Sequence, residues 1–310
     1  MADSRKVRLV SSYPYTHHTA VRSDGYGKEL HTFLVERFPH VGESVWHHRE
    51  NEGLIHVLRN GTSIHALKFD EAGLALASGD IIVHHVPRMI EPSVPDEVRV
   101  LEETSDIVAV FKPAPMSMHA GGRYFKNSLQ SILKERGYDG LRIVHRLDAV
   151  TSGLVLMAKN KEVARACTKA FEEFKVQKVY WARVKGHPSM FDEHLINAPI
   201  RRKKGFVFEC GDHLKGALAA QTMCRVLHQE GPESLVECRP ITGRTHQIRL
   251  HLSHFGYPIY NDLIYGPNGD NSGNRLQNKG IALVSKSLQL PTLGLRFNLS
   301  DQLVLDTLRQ

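Results

Sequence analysis

The sequence predicts an α+β chain: a mixed, mainly antiparallel sheet with inserted helices, preceded by a small helix-plus-hairpin module. Three observations carry that expectation. Alternating apolar and polar runs recur through the second half of the chain without the regular strand-helix-strand rhythm of a parallel sheet. Asn60-Gly61 stands between two strand-like runs and signals a tight hairpin, because both residues tolerate positive φ. Pro87, Pro92 and Pro95 in "VPRMIEPSVPDE" restrict φ and remove donors, so this stretch reads as an extended linker. The expected division is therefore a module over 1–90 and a larger domain over 91–310.

Taken in order, "GKELHTFLVERF" puts Leu30, Phe33, Leu34 and Phe38 at the spacing of a short amphipathic helix. "LIHVLRNGTSIHAL" is the hairpin, and "LASGDIIVHHV" adds a turn and another strand. Beyond the linker, "VRVLEE" and "DIVAVFKP" read as strands. Asn160 caps a helix whose Val163, Cys167, Ala170, Phe171 and Phe174 share one face. In "KVYWARVKG", Tyr180, Ala182 and Val184 point one way while Trp181, Arg183 and Lys185 point the other. "AAQTMCRVL" and "SLVECRP" form an antiparallel pair across "HQEGPE", and "THQIRLHLSHF" spaces Ile248, Leu252 and Phe255 as a helix. No internal repeat or low-complexity tract interrupts this order.

Composition excludes several classes. With 41% hydrophobic and 24% charged residues the chain is an ordinary globular one rather than a disordered one. No apolar run approaches the roughly 20 residues that cross a bilayer, and the first residues lack a secretory core, so an intracellular location is expected with its compartment open. The cysteines, Cys167, Cys210, Cys224 and Cys238, stand apart without a C-x-x-C pair and are expected to be reduced. Forty Lys and Arg against 33 Asp and Glu leave a net charge of +7, which suits a polyanionic partner such as nucleic acid. The absence of a long apolar seam points to a monomer.

Asp148 is the first candidate for chemistry. In "HRLDAVTSGL" (145–154) it stands between Arg146 and a small-residue turn, with "LRIV" and "VLMA" on either side. The plain reading is a residue capping Thr151-Ser152-Gly153. Apolar flanks, however, place it near a buried edge, where a carboxylate needs a partner, and a paired carboxylate in a cleft is a catalytic candidate. The nearest acids, Asp139 and Glu162, have no spacing that forces them into the same site. A two-carboxylate hydrolytic arrangement is not indicated, and Asp148 reads as a lone nucleophile or charge stabiliser.

"TGRTHQIRLHLSHFG" (242–256) offers His246, His251 and His254 but lacks the H-E-x-x-H spacing, so no metal is expected there. Arg244 and Arg249 are either solvated basic residues or cations for a phosphate or carboxylate. Tyr180 is either core packing or a ring that stacks on a base. Arg201, Arg202, Lys203 and Lys204 form a basic run that is either a solvated loop or a phosphate contact. "HAGGRYFKNSL", with Arg123 and Tyr124, suits a loop that approaches a ligand closely.

Together these stretches resemble the RluA-type family of RNA pseudouridine synthases. "HRLDAVTSGL" is similar to the family signature that carries the catalytic Asp, "KVYWARVKG" to the motif whose Tyr packs on the target base, and "GRTHQIRLHLSHFGYPIYNDLIYG" to the motif whose Arg pairs with the Asp. "DIVAVFKPAPMSMHAGGRY" resembles the approach strand, and the likeness runs from 98 to about 295. The first ninety residues are similar to the S4-like RNA-binding module that often precedes this domain, and the "HAGGRY" loop looks most like eukaryotic members, some of which modify transfer RNA. Ala149 departs from the family, where the residue after the Asp is commonly basic.

The resemblance implies a pseudouridine-synthase-type fold and cofactor-free isomerisation of uridine in RNA, transfer RNA favoured. Asp148, Tyr180 and Arg249 would be the catalytic set, with Arg146 filling the gap left by a flipped nucleotide. Arg123, Arg244, His246, Arg201, Arg202, Lys203 and Lys204 would contact RNA. Two other classes stay open: an RNA-binding protein without catalysis, and a metal-dependent hydrolase, which the ligand spacing disfavours.

Overall fold

The computed structural model describes residues 6–38, 41–65, 73–190, 192–266 and 279–309. The first part of the chain forms β1 (Val7–Arg8), β2 (Tyr13–Ala20), α1 (Leu30–Arg37), α2 (Glu43–Asn51), β3 (Ile55–Arg59), β4 (Thr62–His65), β5 (Ile81–Met89) and β6 (Val94–Pro95). Next come β7 (Arg99–Glu103), β8 (Ile107–Lys112), α3 (Leu129–Glu135), β9 (Arg142–Ile143), β10 (Ser152–Ala158), α4 (Lys161–Glu172) and β11 (Gln177–Lys185). The last third supplies β12 (His194–Asn197), β13 (Ile200–Lys204), β14 (Val207–Cys210), β15 (Gln221–Glu230), β16 (Glu233–Pro240), α5 (Gln247–His254), β17 (Leu283–Leu290), β18 (Leu295–Asn298) and α6 (Asp301–Leu308). The chain divides into a unit over Ser11–Glu91 and a larger one containing Pro92–Gln310 together with the start of the chain.

In the smaller unit a four-stranded antiparallel sheet, ordered β2-β5-β3-β4, carries α1 and α2. Leu30, Phe33, Leu34, Trp46, Ile55, Val57 and Ile82 form its core, as the spacing in α1 predicts. The hairpin turn forms at Asn60 and Gly61, with φ of 51° and 78°; Ala66 and Leu67, the end of that run, lie outside the described residues. Two expectations need correction. Pro87 is not in a linker, because β5 runs through it to Met89, and the register slips between Tyr13 and Tyr15, opposite Pro87. A bulge there tolerates the donors that Pro14 and Pro87 lack. Nor does the first strand belong to the small module. β1 pairs antiparallel with β6, and Arg8 bonds Asn127 and Glu135, so it joins the larger unit.

The larger unit is built on a ten-stranded sheet whose main path runs β12-β15-β16-β11-β17-β10-β8-β7, with β18 added to β17 and β9 to β10. Its pairings are antiparallel except β10 with β17, which is parallel. The sheet is therefore mixed and mainly antiparallel. β8 and β10 are buried along their whole length, which explains their continuous apolar sequences. Asn160 accepts a hydrogen bond from the Val163 N–H at 2.8 Å and caps α4 as expected. Phe174 does not extend that helix: it lies beyond the last turn at φ 56° with its ring exposed. The basic run at 201–204 is likewise a strand rather than a loop, because Ile200 and Val207 bury one side of the β13–β14 pair. Cys224 and Cys238 face one another across β15 and β16 with sulfurs 3.9 Å apart, and all four cysteines are free.

Candidate active site

The Asp148 turn is fixed by backbone contacts on both sides. Thr151 N–H donates to the Asp148 carbonyl at 3.0 Å, and Leu147 is buried while Arg146 and Ala149 face outward. Two residues on, Gly153 at φ 123° lies where β10 meets β17, and a Cβ there would come within 2.4 Å of the Ser285 carbonyl oxygen. Only glycine permits that approach. Tyr180 is the Ser285 partner on the other side of β17, so the parallel seam brings the Asp148 turn and Tyr180 together.

Lys112 completes the support of the turn. Wholly buried at the end of β8, its Nζ donates to the carbonyls of Pro113, Met116 and Ala149 at 3.2, 2.9 and 3.2 Å. Met116 N–H donates to the same Ala149 carbonyl at 2.8 Å. Ala149 thus supports the turn through its backbone carbonyl while its side chain faces outward. Burial pushes the Lys112 ammonium down to about 7, against an opposing pull from Asp148.

Behind Asp148 stands a buried ion triad. Arg249 Nη1 donates to Asp148 Oδ2 at 3.3 Å, while its Nε and Nη2 grip Asp262 at 2.7 and 2.9 Å. Arg249 is 2% exposed, Asp262 1% and Asp148 23% in their side chains, so only Asp148 reaches solvent. Burial alone would raise the Asp262 carboxyl, but Arg249 and the N–H groups of Tyr265 and Ile264 hold it below the ordinary range. Burial likewise opposes the Arg249 charge, and the two carboxylates more than offset it, so the guanidinium is held above its usual value. Of the two alternatives for Arg249 the structure therefore selects the cation for a carboxylate, and His251 on the same helix is buried and bonded to Thr222 and Ala198.

The loop before α5 is held by Gln247. Its Oε1 accepts from Thr242 Oγ1 at 2.7 Å and Arg244 N–H at 3.0 Å, and its Nε2 donates to Gln221 and Thr222. This lets His246 adopt φ 58° at the helix start and bring Nε2 to 3.9 Å from Asp148 Oδ2. The Tyr265 hydroxyl accepts from the Phe208 N–H at 3.0 Å and shares a 2.8 Å hydrogen bond with His246 Nδ1, which fixes the ring and turns its Nε2 towards Asp148. Burial pushes the His246 imidazole down to about 4, and the ring is neutral at pH 7.

Asp148, Tyr180 and Arg249 line a cavity of about 510 Å³ together with Arg146, Lys178, Phe174, Arg244 and His246. Burial pushes the Tyr180 phenol up to about 12, with Ser285 opposing and Asp148 adding to the shift. Lys178 donates to the Thr242 carbonyl at 2.9 Å, and burial pushes it down to about 8. Arg244 donates to the Ala219 carbonyl at 3.0 Å and lies over the Phe174 ring at 5.8 Å. The remaining sequence candidates are not at this cavity. Arg123 is exposed on its loop, Arg201 is taken up by Glu209 and the Lys215 carbonyl, and Arg202, Lys203 and Lys204 extend along an exposed hairpin. Lys112, Lys178, Asp262 and Tyr265 were not singled out from the sequence. Lys178 had a usable signal, lying two residues before Tyr180 on the same strand face.

Chemically, the cavity presents the accessible Asp148 carboxylate, backed by a fixed cation and flanked by a phenol ring and further cations, with Glu172 also on its lining. Asp262, behind it, is spent on Arg249. Such a site suits attack on, or stabilisation of, an electron-poor carbon in an anionic substrate whose planar group lies against Tyr180.

Residues 106–254 match the model of the family described as RNA pseudouridylate synthase. "RNA pseudouridine synthase 7" of Oryza sativa is 32% identical over 266 residues, 83% of this chain and 65% of that protein. The "tRNA pseudouridine(32) synthase, mitochondrial" of Saccharomyces cerevisiae is 30% identical over 282 residues, 89% of this chain and 58% of that protein. The chain thus spans less than two thirds of the length of either relative. Among solved structures, human RNA pseudouridylate synthase domain containing 1 superposes with a TM-score of 0.57 at 27% identity, covering 68% of this chain and 86% of that one.

Proposed function

This chain belongs to the RNA pseudouridylate synthase family through residues 106–254, and from that premise we propose that it isomerises specific uridines in RNA to pseudouridine, with transfer RNA the favoured substrate. The observation that carries the reading is the pairing of Asp148 with the buried Arg249–Asp262 clamp at the floor of a cavity beside Tyr180. The yeast relative named for a transfer RNA position supports the substrate class.

In this reaction the bond from N1 to C1′ breaks, the uracil turns, C5 bonds to C1′, and the C5 proton is lost while N1 gains one, so no cofactor is consumed. Asp148 serves either as nucleophile at C1′ or as the countercharge to the cation that develops there. Its second oxygen stays free for this because Arg249 holds Asp148 through a single 3.3 Å contact and spends its bidentate face on Asp262. A phenol pushed to about 12 keeps its proton at neutral pH, which favours Tyr180 packing against the uracil over taking the C5 proton. Reaching C1′ requires the nucleotide to leave the stack, at a cost of a few kcal/mol. Arg146, exposed beside Asp148, fills the vacated place. Arg244, His246 and Lys178 hold groups of the flipped nucleotide, while Arg123, Arg202, Lys203 and Lys204 contact phosphates. Ala149, exposed at the rim, tunes which RNA is accepted.

The unit over Ser11–Glu91 fits an S4-like RNA-binding role in this scheme, and the protein acts as a monomer. Carbodiimide mapping of pseudouridine in cellular RNA, comparing wild type with Asp148→Ala, tests the activity and names the substrate. At least one uridine is expected to lose its modification. If every site persists while the protein still binds RNA, the non-catalytic RNA-binding reading takes its place.

A further inference from the structure

The smaller unit holds a cluster of chemistry-bearing side chains that plays no part in the reaction proposed above. Its helix α2 has a weak hold on the core, since Trp46 alone of its nine residues is buried. A polar helix of this kind needs support beyond apolar packing. No cysteine precedes Cys167, so no disulfide can supply it within this unit. A structural metal is the other staple that small modules use.

The residues for one are in place. Glu43, His47 and Glu50 follow one another at i, i+4 and i+7 on α2 and share a face, and His31 joins them from α1. His31 Nε2 and His47 Nε2 lie 3.6 and 4.0 Å from the same Glu43 oxygen, Oε1, and the two rings have centroids 4.2 Å apart. Glu50, with 8% of its side chain exposed, lies 3.0 Å from His31 Nδ1. One donor atom each from His31, His47 and Glu50 falls within 4.8 Å of the others.

A carboxylate only accepts, so the contact with Glu50 places a proton on His31 Nδ1 and, in the neutral ring, turns the Nε2 lone pair towards Glu43. Both Nε2 atoms then lie near one Glu43 oxygen at separations too long for direct hydrogen bonds. Ligands about 2.0–2.2 Å from a tetrahedral zinc sit roughly 3.4 Å apart, so a small contraction seats a cation among them. Glu43 and Glu50 bring two carboxylates to the two rings, a donor set that suits a divalent cation. The contact between Glu50 and His31 has the form of the carboxylate that orients a ligating histidine from outside the coordination sphere.

We propose that His31, His47 and Glu43 form a binding site for a divalent cation of the zinc class, oriented by Glu50 and completed by water, which ties α1 to α2. It is independent of the catalytic reading, since every residue lies in the unit over Ser11–Glu91.

The test uses the full chain, stripped with chelator and titrated calorimetrically with Zn²⁺ alone, then with Co²⁺ as an optical probe of coordination. One equivalent is expected, with visible Co²⁺ bands, and both vanish in the His31→Ala, His47→Ala double variant. Glu43 is 66% exposed in its side chain, so Glu43→Gln keeps the fold and isolates the ligand role. It should weaken binding at least tenfold, and Glu50→Gln about 10- to 100-fold. At the same free Zn²⁺ the unfolding midpoint of wild type should rise further than that of Glu43→Gln. Absence of a bound equivalent in wild type, or unchanged affinity in the folded Glu43→Gln protein, overturns the proposal.

Discussion

At Arg249 one guanidinium serves two carboxylates, and the way it divides itself sets the character of Asp148. The bidentate bond goes to the enclosed Asp262, and a single longer one goes to Asp148. Asp262→Asn removes one charge of the triad and leaves Arg249 to draw Asp148 in as its full partner. Breaking a buried pair in this way costs about 3–5 kcal/mol, and activity should fall with it, read by urea unfolding beside tritium release from RNA carrying 5-tritiated uridine. A variant that keeps wild-type rates would mean that Asp148 needs no clamp. Lys112 gives a pH dependence with a definite sign. Its folded value is about 7 against an ordinary 10.5, so between those limits the unfolded chain binds a proton that the folded chain has released. Stability therefore rises with pH across that window, by up to about 1.4 kcal/mol per pH unit, and Lys112→Met should flatten the slope in unfolding measured from pH 7 to 10. Asp148, Tyr180 and Arg249 were legible because each stands in a local pattern of its own. Asp262, Tyr265 and Lys112 were not, because their roles exist only where separated segments meet.

Among the elements, the β13–β14 hairpin shows what a charge run conceals. Four consecutive cations have low strand propensity and read as a loop, yet Ile200 and Val207 reach the core and the pair closes. The strand then separates the four functionally. Arg201 is bound to Glu209 at 2.7 Å, whereas Lys203 and Lys204 remain exposed next to Phe206, whose ring is 84% exposed. An aromatic ring so exposed among cations suits nucleic acid, which offers phosphates and base faces together. Lys203→Glu with Lys204→Glu should weaken RNA binding and lower the slope of log affinity against log salt by roughly one to two units. Arg201→Glu should instead act on stability through its lost partner. Equal salt slopes for wild type and the double variant would remove the hairpin from the RNA interface. Phe208 on the same hairpin bonds Tyr265, which bonds His246, so this element is also connected to Asp148, through contacts no spacing in the sequence announces.

For the molecule as a whole, the chain divides between Glu91 and Pro92, and the course of the chain before that point was not legible in the sequence. β1 is two residues long and has no periodicity to read. Its pairing of Arg8 with Val94 and Val7 with Pro95 makes the unit over Ser11–Glu91 an insertion between two adjacent antiparallel strands of the larger one. The chain leaves and returns side by side, which is the geometry in which an inserted domain can be removed without disturbing its host. Replacing residues 11–91 with a short glycine-rich turn should therefore yield a folded protein whose triad and cavity, all beyond residue 140, are intact. If the smaller unit serves to hold RNA, KM for a full-length substrate should rise at least tenfold while kcat changes by less than about threefold, since the lost contacts bind substrate and transition state alike. An unchanged KM would show that the larger unit alone selects its RNA. A collapse of kcat at saturating RNA would place the smaller unit in the catalytic step itself.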